Sequence, residues 1–178
     1  MEINEILYKE YNLYFKSDKD YLKEKILNTN KYRIWQWQKA LRMEEYYSQK
    51  NMGIINKLFL VYWKRRKNYI GRQLGFDIPG GVFAIGLRIW HPAPIVVNPF
   101  AKVGENAVIV GNLCIGNNNG KMAAAQIGNN CTFGWGCAVI GDIKVSDNCK
   151  IGAGAIVVRD VIDDNSVLVG VPAKNIRK

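Results

Sequence analysis

From Val97 onward the chain places a large aliphatic residue at almost every sixth position. The series runs Val97, Val103, Ile109, Ile115, Lys121, Ile127, Phe133, Val139, Val145, Ile151, Val157, Asp163 and Val169, and only Lys121 and Asp163 are polar. Four residues after each lies a second, generally smaller series: Ala101, Ala107, Leu113, Asn119, Ala125, Cys131, Cys137, Ile143, Cys149, Ala155, Val161, Val167 and Ala173. A short fixed period marks a solenoid, whose units bury their apolar faces only by stacking on their neighbours. Six residues are too few for a helix and a turn. They suffice for one short strand, alternating inward and outward, and one corner. Three such units close a triangular coil, so residues eighteen apart stack along one edge. This predicts an interior column of Ile115, Phe133, Ile151 and Val169, and an outer corner column of Asn117, Trp135, Ala153 and Val171. The predicted fold class is mainly β, a parallel β-helix preceded by a short α-helical segment.

The six-residue rhythm is absent before this region, and residues 1–75 follow helical spacing instead. Ile34, Trp37 and Leu41 share one face of a helix, and Ile55, Leu58, Phe59 and Tyr62 share one face of another. Ser17–Asp20 and Asn28–Asn30 read as turns or caps. Lys64–Lys67 closes the last helix with positive charge where its dipole favours it. Gly71–Gly75 reads as the junction, and Phe76–Pro94 as an irregular lead into the coils. Two parts result: a helical assembly segment, 1–75, and a β-helix, 76–178. Within the second, the Gly- and Asn-rich stretch from Gly116 to Gln126 breaks the pattern but preserves its phase. It is expected to loop out of the wall and shape a binding groove.

Charge sharpens this division. The net charge is +10, and residues 1–75 hold 16 Lys and Arg against 8 Asp and Glu, whereas residues 76–178 hold 9 against 7. No nucleic-acid motif accompanies the basic helices, so they are read as a solvated face and a packing surface between subunits. Nucleic acid is not an expected partner, and contact with a membrane surface is not favoured. No apolar run is long enough to span a bilayer, and the first residues lack the features of a secretory leader. A cytoplasmic protein is expected. The four cysteines include no C-x-x-C pair and there is one histidine, so neither disulfides nor a metal centre is expected. Cys131, Cys137 and Cys149 fall on the small inward series and read as reduced core residues.

His91, that single histidine, is the only side chain whose ordinary pKa lies near neutrality. A free hydroxyl is a poor nucleophile, and a positioned histidine can take its proton as it attacks. Strict counting back from Val97 would place His91 on the inward phase, with Pro92 and Pro94 disturbing the count. Asp77 is the candidate carboxylate to orient the imidazole. Asn117, Trp135 and Ala153, stacked along one corner, would make a straight groove for a long, amide-containing ligand. Lys174 and Arg177, near the C-terminus, are candidates for neutralising phosphates.

Several segments carry a resemblance: Phe76-Asp77-Ile78-Pro79, Gly86-Leu87-Arg88-Ile89-Trp90-His91, Ile95-Val96-Val97-Asn98, Ile151-Gly152-Ala153-Gly154-Ala155 and Val169-Gly170-Val171-Pro172-Ala173-Lys174. With the repeats, they resemble the left-handed β-helix acyltransferases of the hexapeptide-repeat superfamily. Within it the branch resembled is the serine O-acetyltransferases and related surface-polysaccharide O-acetyltransferases. The resemblance implies left-handed coils, acetyl-CoA as donor, no metal, and a homotrimer with its active site between adjacent subunits. It implies His91 as the catalytic base and Asp77 as its partner, although their fourteen-residue spacing is one shorter than the family's. The donor-binding set is Gly116, Asn117, Trp135, Gly136, Ala153, Lys174 and Arg177, with backbone at Gly136 and Ala153 meeting the pantetheine arm. On the acceptor side Trp90 stands where serine acetyltransferases carry a serine-binding aspartate, and their loop histidine is missing. A sugar hydroxyl is therefore the expected acceptor. The alternatives are L-serine O-acetylation for cysteine biosynthesis, N-acetylation of an amino sugar, and a non-catalytic scaffold. The related zinc carbonic anhydrases need three histidines per site, which one per chain does not supply.

Overall fold

Backbone N–H and C=O groups of one coil find partners in the next, so the β-helix is built by stacking, one coil at a time. The structure, a computed structural model, describes residues 2–49, 53–117 and 122–177. It falls into two compact units, Met1–Gly75 and Phe76–Lys178. The second contains five coils. The first holds β1 (Phe76–Asp77) and β2 (Arg88–Ile89), and the second β3 (Ile95–Val97), β4 (Lys102–Val103) and β5 (Val108–Ile109). The third holds β6 (Leu113–Gly116), β7 (Gln126–Ile127) and β8 (Thr132–Phe133), and the fourth β9 (Cys137–Ile140), β10 (Lys144–Val145) and β11 (Lys150–Ile151). The fifth holds β12 (Ile156–Val157) and β13 (Val167–Val169), and β14 (Lys174–Asn175) follows.

Three parallel sheets form the walls: β1-β3-β6-β9-β12 on the first face, β4-β7-β10 on the second, and β2-β5-β8-β11-β13 on the third, which β14 closes antiparallel. Bridges from Phe83 to Val103 and from Val145 to Val161 extend the second face at both ends. Phe76–Pro94, expected as an irregular lead-in, thus already forms a coil.

The interior is that of the six-residue pattern. Val97, Val103, Ile109, Ile115, Ile127, Phe133, Val139, Val145, Ile151 and Val157 are all buried. The smaller positions from Ala101 to Ala155 are buried beside them, among them Cys131, Cys137 and Cys149. Lys121 and Asn119 lie outside the described residues. The columns, however, differ from those predicted. Ile95 pairs with Leu113, eighteen positions on, but Leu113 pairs with Cys137, twenty-four on. The loop adds six residues to one coil, which preserves the phase but advances the stacking by one unit. Ile115 therefore stacks on Val139, and the column through Phe133 runs Ile89, Ile109, Phe133, Ile151 and Leu168.

The last coil slips the other way, because Lys150 pairs with Val167, only seventeen on. Leu168 takes the interior place predicted for Val169, Ser166 is buried above Cys149, and Asp163 and Val169 are exposed. One corner shows how the chain turns. Asn106, Asn130, Asn148 and Asn165 adopt positive φ (57°, 56°, 59° and 59°), the left-handed conformation asparagine tolerates. Asn106 donates to Asn130 Oδ1 at 3.1 Å, and Asn130 to Asn148 Oδ1 at 3.0 Å, so the corner is a side-chain ladder.

The N-terminal unit contains α1 (Ile3–Tyr14), α2 (Asp18–Ile26), α3 (Asn30–Gln49) and α4 (Ile54–Leu74). Ser17 caps α2 by accepting from the Asp20 N–H, and Gly75 ends α4 at φ 80°. Gly71 lies inside α4 rather than in a junction. Ile34, Trp37 and Leu41 are buried as predicted, alongside Phe15 and Trp35. Arg42 lies among them, its guanidinium 2.8 Å from both Glu10 Oε1 and Glu45 Oε2. Burial alone would weaken that cation's hold on its proton, and the two carboxylates more than offset this. Lys67, expected as a solvated helix-end cation, is buried 2.8 Å from Glu44. The face of Ile55, Leu58, Phe59 and Tyr62 is largely exposed, at 66% for Leu58, although Phe59 stacks on Tyr47 with ring centroids 5.2 Å apart.

Two stability outcomes follow from these positions, both read by denaturant unfolding. Leu168→Ala should cost about 2–5 kcal/mol and Val169→Ala less than about 1 kcal/mol, the reverse of the six-residue count. Arg42→Ala should cost about 3–5 kcal/mol by removing one member of the buried Glu10–Arg42 ion pair.

Candidate functional site

The corner between the third and first faces gathers the unusual side chains. It is formed by the residues joining β2 to β3, β5 to β6, β8 to β9 and β11 to β12. In the first coil these are Trp90 to Pro94, in the second Val110 to Asn112, in the third Gly134 to Gly136 and in the fourth Gly152 to Ala155. Each backbone is tied to the next: Trp90 N–H donates to Ile109 O at 2.9 Å, Gly136 N–H to Asn112 O at 2.8 Å and Gly154 N–H to Trp135 O at 2.9 Å. The corner is therefore fixed along its length.

His91 is exposed at this corner, not inward as strict counting gave. Ile89 ends the inward run of β2, and Ala93 is the next buried residue, so the Pro-containing bend rotates the imidazole out. Its aromatic neighbour is Trp135, with ring centroids 6.5 Å apart and planes at 59°. Trp90 and Trp135 are exposed at 51% and 48%. The Arg88 guanidinium lies 5.7 Å from the Trp90 ring, near enough for a cation–π contact.

Two residues here were not legible as site residues in the sequence. Gly111 is buried beneath the Trp135 ring, and a Cβ there would overlap indole atoms Cε3 and Cζ3. Arg88 occupies the outward position of β2 beside Trp90. A glycine aligned with a tryptophan one coil away was the available signal for the first, and the six-residue loop insertion hid that alignment.

The predicted donor residues divide among three places. Trp135, Gly136 and Ala153 share the His91 corner, and among the described residues neither the Trp135 N–H nor the Ala153 N–H donates to a backbone acceptor. Gly136 and Gly154 take positive φ, 73° and 69°, which bends the chain there and leaves Ala153 exposed. Gly116 and Asn117 lie instead at the far end of the first face, where Gly116 O accepts from Gly141 N–H at 2.9 Å. Asn117 therefore does not stack with Trp135. Lys174, paired in register with Val169 in β14, is exposed toward the His91 side of the last coil. Arg177 points elsewhere, donating to the Asn165 carbonyl at 2.7 Å on the asparagine corner.

Asp77 sits in β1 on the first face, exposed and in register with Val96. Among the described residues no hydrogen bond joins it to His91. Sulfur nucleophiles are disfavoured near this corner. Burial raises the Cys137 thiol, next in the chain to Gly136, to about 12, and the Cys131 thiol to about 11. Both stay protonated at neutral pH. No cluster of His, Cys, Asp or Glu among the described residues could hold a metal ion, and no described helix is long and apolar enough to cross a membrane.

No protein-family model and no curated protein matches the chain. Solved structures do. Ligand-free soybean serine acetyltransferase superposes with a TM-score of 0.76 at 21% identity, over 98% of this chain and 69% of that one. Neisseria gonorrhoeae serine acetyltransferase in complex with serine gives 0.69 at 22%, over 98% and 69%. Brucella abortus serine acetyltransferase in complex with coenzyme A gives 0.60 at 26%, over 82% and 55%. The chain thus has the β-helix fold of the serine acetyltransferases and spans between half and about two thirds of their length.

Thiol chemistry tests the burial assignments. At about pH 8 an aromatic disulfide reagent should leave the buried Cys131, Cys137 and Cys149 untouched in the folded protein, reaching at most Cys114, and should titrate four thiols after unfolding.

Proposed function

We propose that this chain is an acetyl-CoA-dependent O-acetyltransferase acting on a saccharide hydroxyl. The observation that carries the reading is the exposed His91 on a rigid corner that also presents the undonated N–H groups of Trp135 and Ala153. That fold accommodates coenzyme A in the Brucella abortus enzyme. Here the pantetheine amides would run past Gly136 and Ala153, with Lys174 toward the phosphates. Arg177 and the Gly116–Asn117 end lie away from that line.

His91 takes the acceptor proton as the hydroxyl oxygen attacks the thioester carbonyl. A tetrahedral oxyanion forms, to which corner N–H groups would donate. Its collapse breaks the carbon–sulfur bond, the imidazolium proton passes to the leaving thiolate, and the products are an ester and free coenzyme A. Asp77, from the neighbouring face, is proposed to orient the imidazole. Holding both substrates on one edge supplies much of the acceleration.

Assembly follows from the outer surfaces. The first face presents one outward row that begins at Asp77 and is apolar from there on, through Val96, Cys114, Ala138 and Ile156, with Ile140 and Val158 beside it. The second presents Lys102, Gln126 and Lys144, and the third Arg88, Val108, Thr132 and Lys150. Only the first is apolar enough to be covered by another copy. A homotrimer in the cytoplasm is proposed, with left-handed coils as in the hexapeptide-repeat proteins the sequence resembles. His91 would then stand at the rim of that interface, and residues 1–75 would assist assembly.

The indole of Trp90 directly before the base favours a sugar acceptor, since it offers an apolar surface and no charge for an amino acid. L-serine is the second reading, supported by the serine-bound Neisseria gonorrhoeae structure.

Free thiol release from acetyl-CoA, with serine and a panel of nucleotide sugars and oligosaccharides, tests the activity. Acceptor-dependent release should fall by ~10²–10⁴-fold in His91→Ala. Release with serine alone would select the second reading, and product stable to mild base would indicate an amide. Val96→Glu should reduce the mass in light scattering from about three times 20.2 kDa to a single copy.

A further inference from the structure

Trp135 and His91 belong to different coils, with the second coil between them, so their backbones are about 10 Å apart along the stack. Their rings are nevertheless 6.5 Å apart, which requires the indole to lean across the intervening corner. Gly111 makes this possible. Its missing side chain leaves the space that Cε3 and Cζ3 of Trp135 occupy, and any Cβ would expel them. The ring is held from below yet 48% exposed above. It is a platform, with one surface on the coil and another open beside the base. Trp90, also half exposed, directly precedes His91 in the chain.

We propose that the Gly111-seated indole of Trp135 is a specificity-determining surface for the acceptor, stacking against the C–H face of a pyranose ring so that a ring hydroxyl reaches His91. The electron-rich indole face attracts the slightly positive axial C–H groups, and the flat ring excludes water from one side of the sugar. Serine has no such face to offer. This rests on His91 acting as the acetyl-transfer base. Trp135 would act by positioning the acceptor, with the donor held by backbone around it.

Two measurements separate the platform from the reading beneath it. The first is emission of full-length protein titrated with methyl α-D-glucopyranoside, methyl β-D-galactopyranoside and their N-acetylamino counterparts. A glycoside-induced change present in wild type and in His91→Gln, but lost in Trp135→Phe, is expected. It requires no turnover. The second is kinetic, using the best pyranose acceptor among these glycosides and their oligosaccharides. Trp135→Ala should raise acceptor KM about tenfold with acetyl-CoA KM unchanged, and Trp135→Phe should recover part of the loss. Gly111→Ala should mimic Trp135→Ala by unseating the ring, and the double variant should be no worse than either, as expected of groups acting as one unit.

A rise confined to acetyl-CoA KM would overturn the proposal by assigning Trp135 to the donor side. Equal loss for serine and pyranose acceptors, or additive effects of the two substitutions, would overturn it as well. Activity that is unaffected by His91→Ala would instead remove the assignment of the base. No sugar-dependent change in either emission or kinetics would dismiss the platform.

Discussion

The coil perimeter is the constraint on which everything else depends. Each coil must return to its starting edge so that its N–H groups meet the carbonyls of the coil before, and every inward residue must fit between two neighbours in its column. The small inward positions meet that demand by leaving room for the large ones. Because the ladder is continuous, a side chain at a corner inherits a position set by dozens of backbone bonds. The backbone of the bend that carries the exposed His91 is fixed in the same way.

Departures from the perimeter are absorbed only at corners. The six extra residues between β6 and β7 leave the pairing of β6 with β9 intact. The seventeen-residue step from Lys150 to Val167 shortens a bend and transfers the interior place from Val169 to Leu168. A change that is a multiple of the repeat alters which residues are neighbours, whereas a change of one alters which residues face inward.

These two kinds of change explain what could be read in advance. The interior from Val97 to Val157 was legible because every described position of the two series carries its own signal, a large or small apolar residue. The vertical alignment was not, because the phase survives a six-residue loop while the neighbours change. The Asn117–Trp135 column failed for that reason, and the Gly111–Trp135 contact stayed hidden by it. The outward position of His91 was not legible, since proline bends obey no period. On α4, apolar spacing marked Ile55 and Leu58 as a face to be covered but not by what. Asp77 was found by its resemblance, and only its register with Val96 shows that it lies on a different wall from the bend carrying His91.

The antiparallel β14 bears on what happens beyond the last coil. A solenoid of parallel strands ends in open rows of donors and acceptors, which invite another copy to continue the stack. On the third face that row is occupied by β14, whose direction is opposite to that of any continuing strand and which carries Lys174 on its exposed side. A second molecule arriving end-on would meet a reversed hydrogen-bond pattern and a like charge. The strand therefore works as a terminator, keeping a repeat that could grow into a fibre to a discrete length.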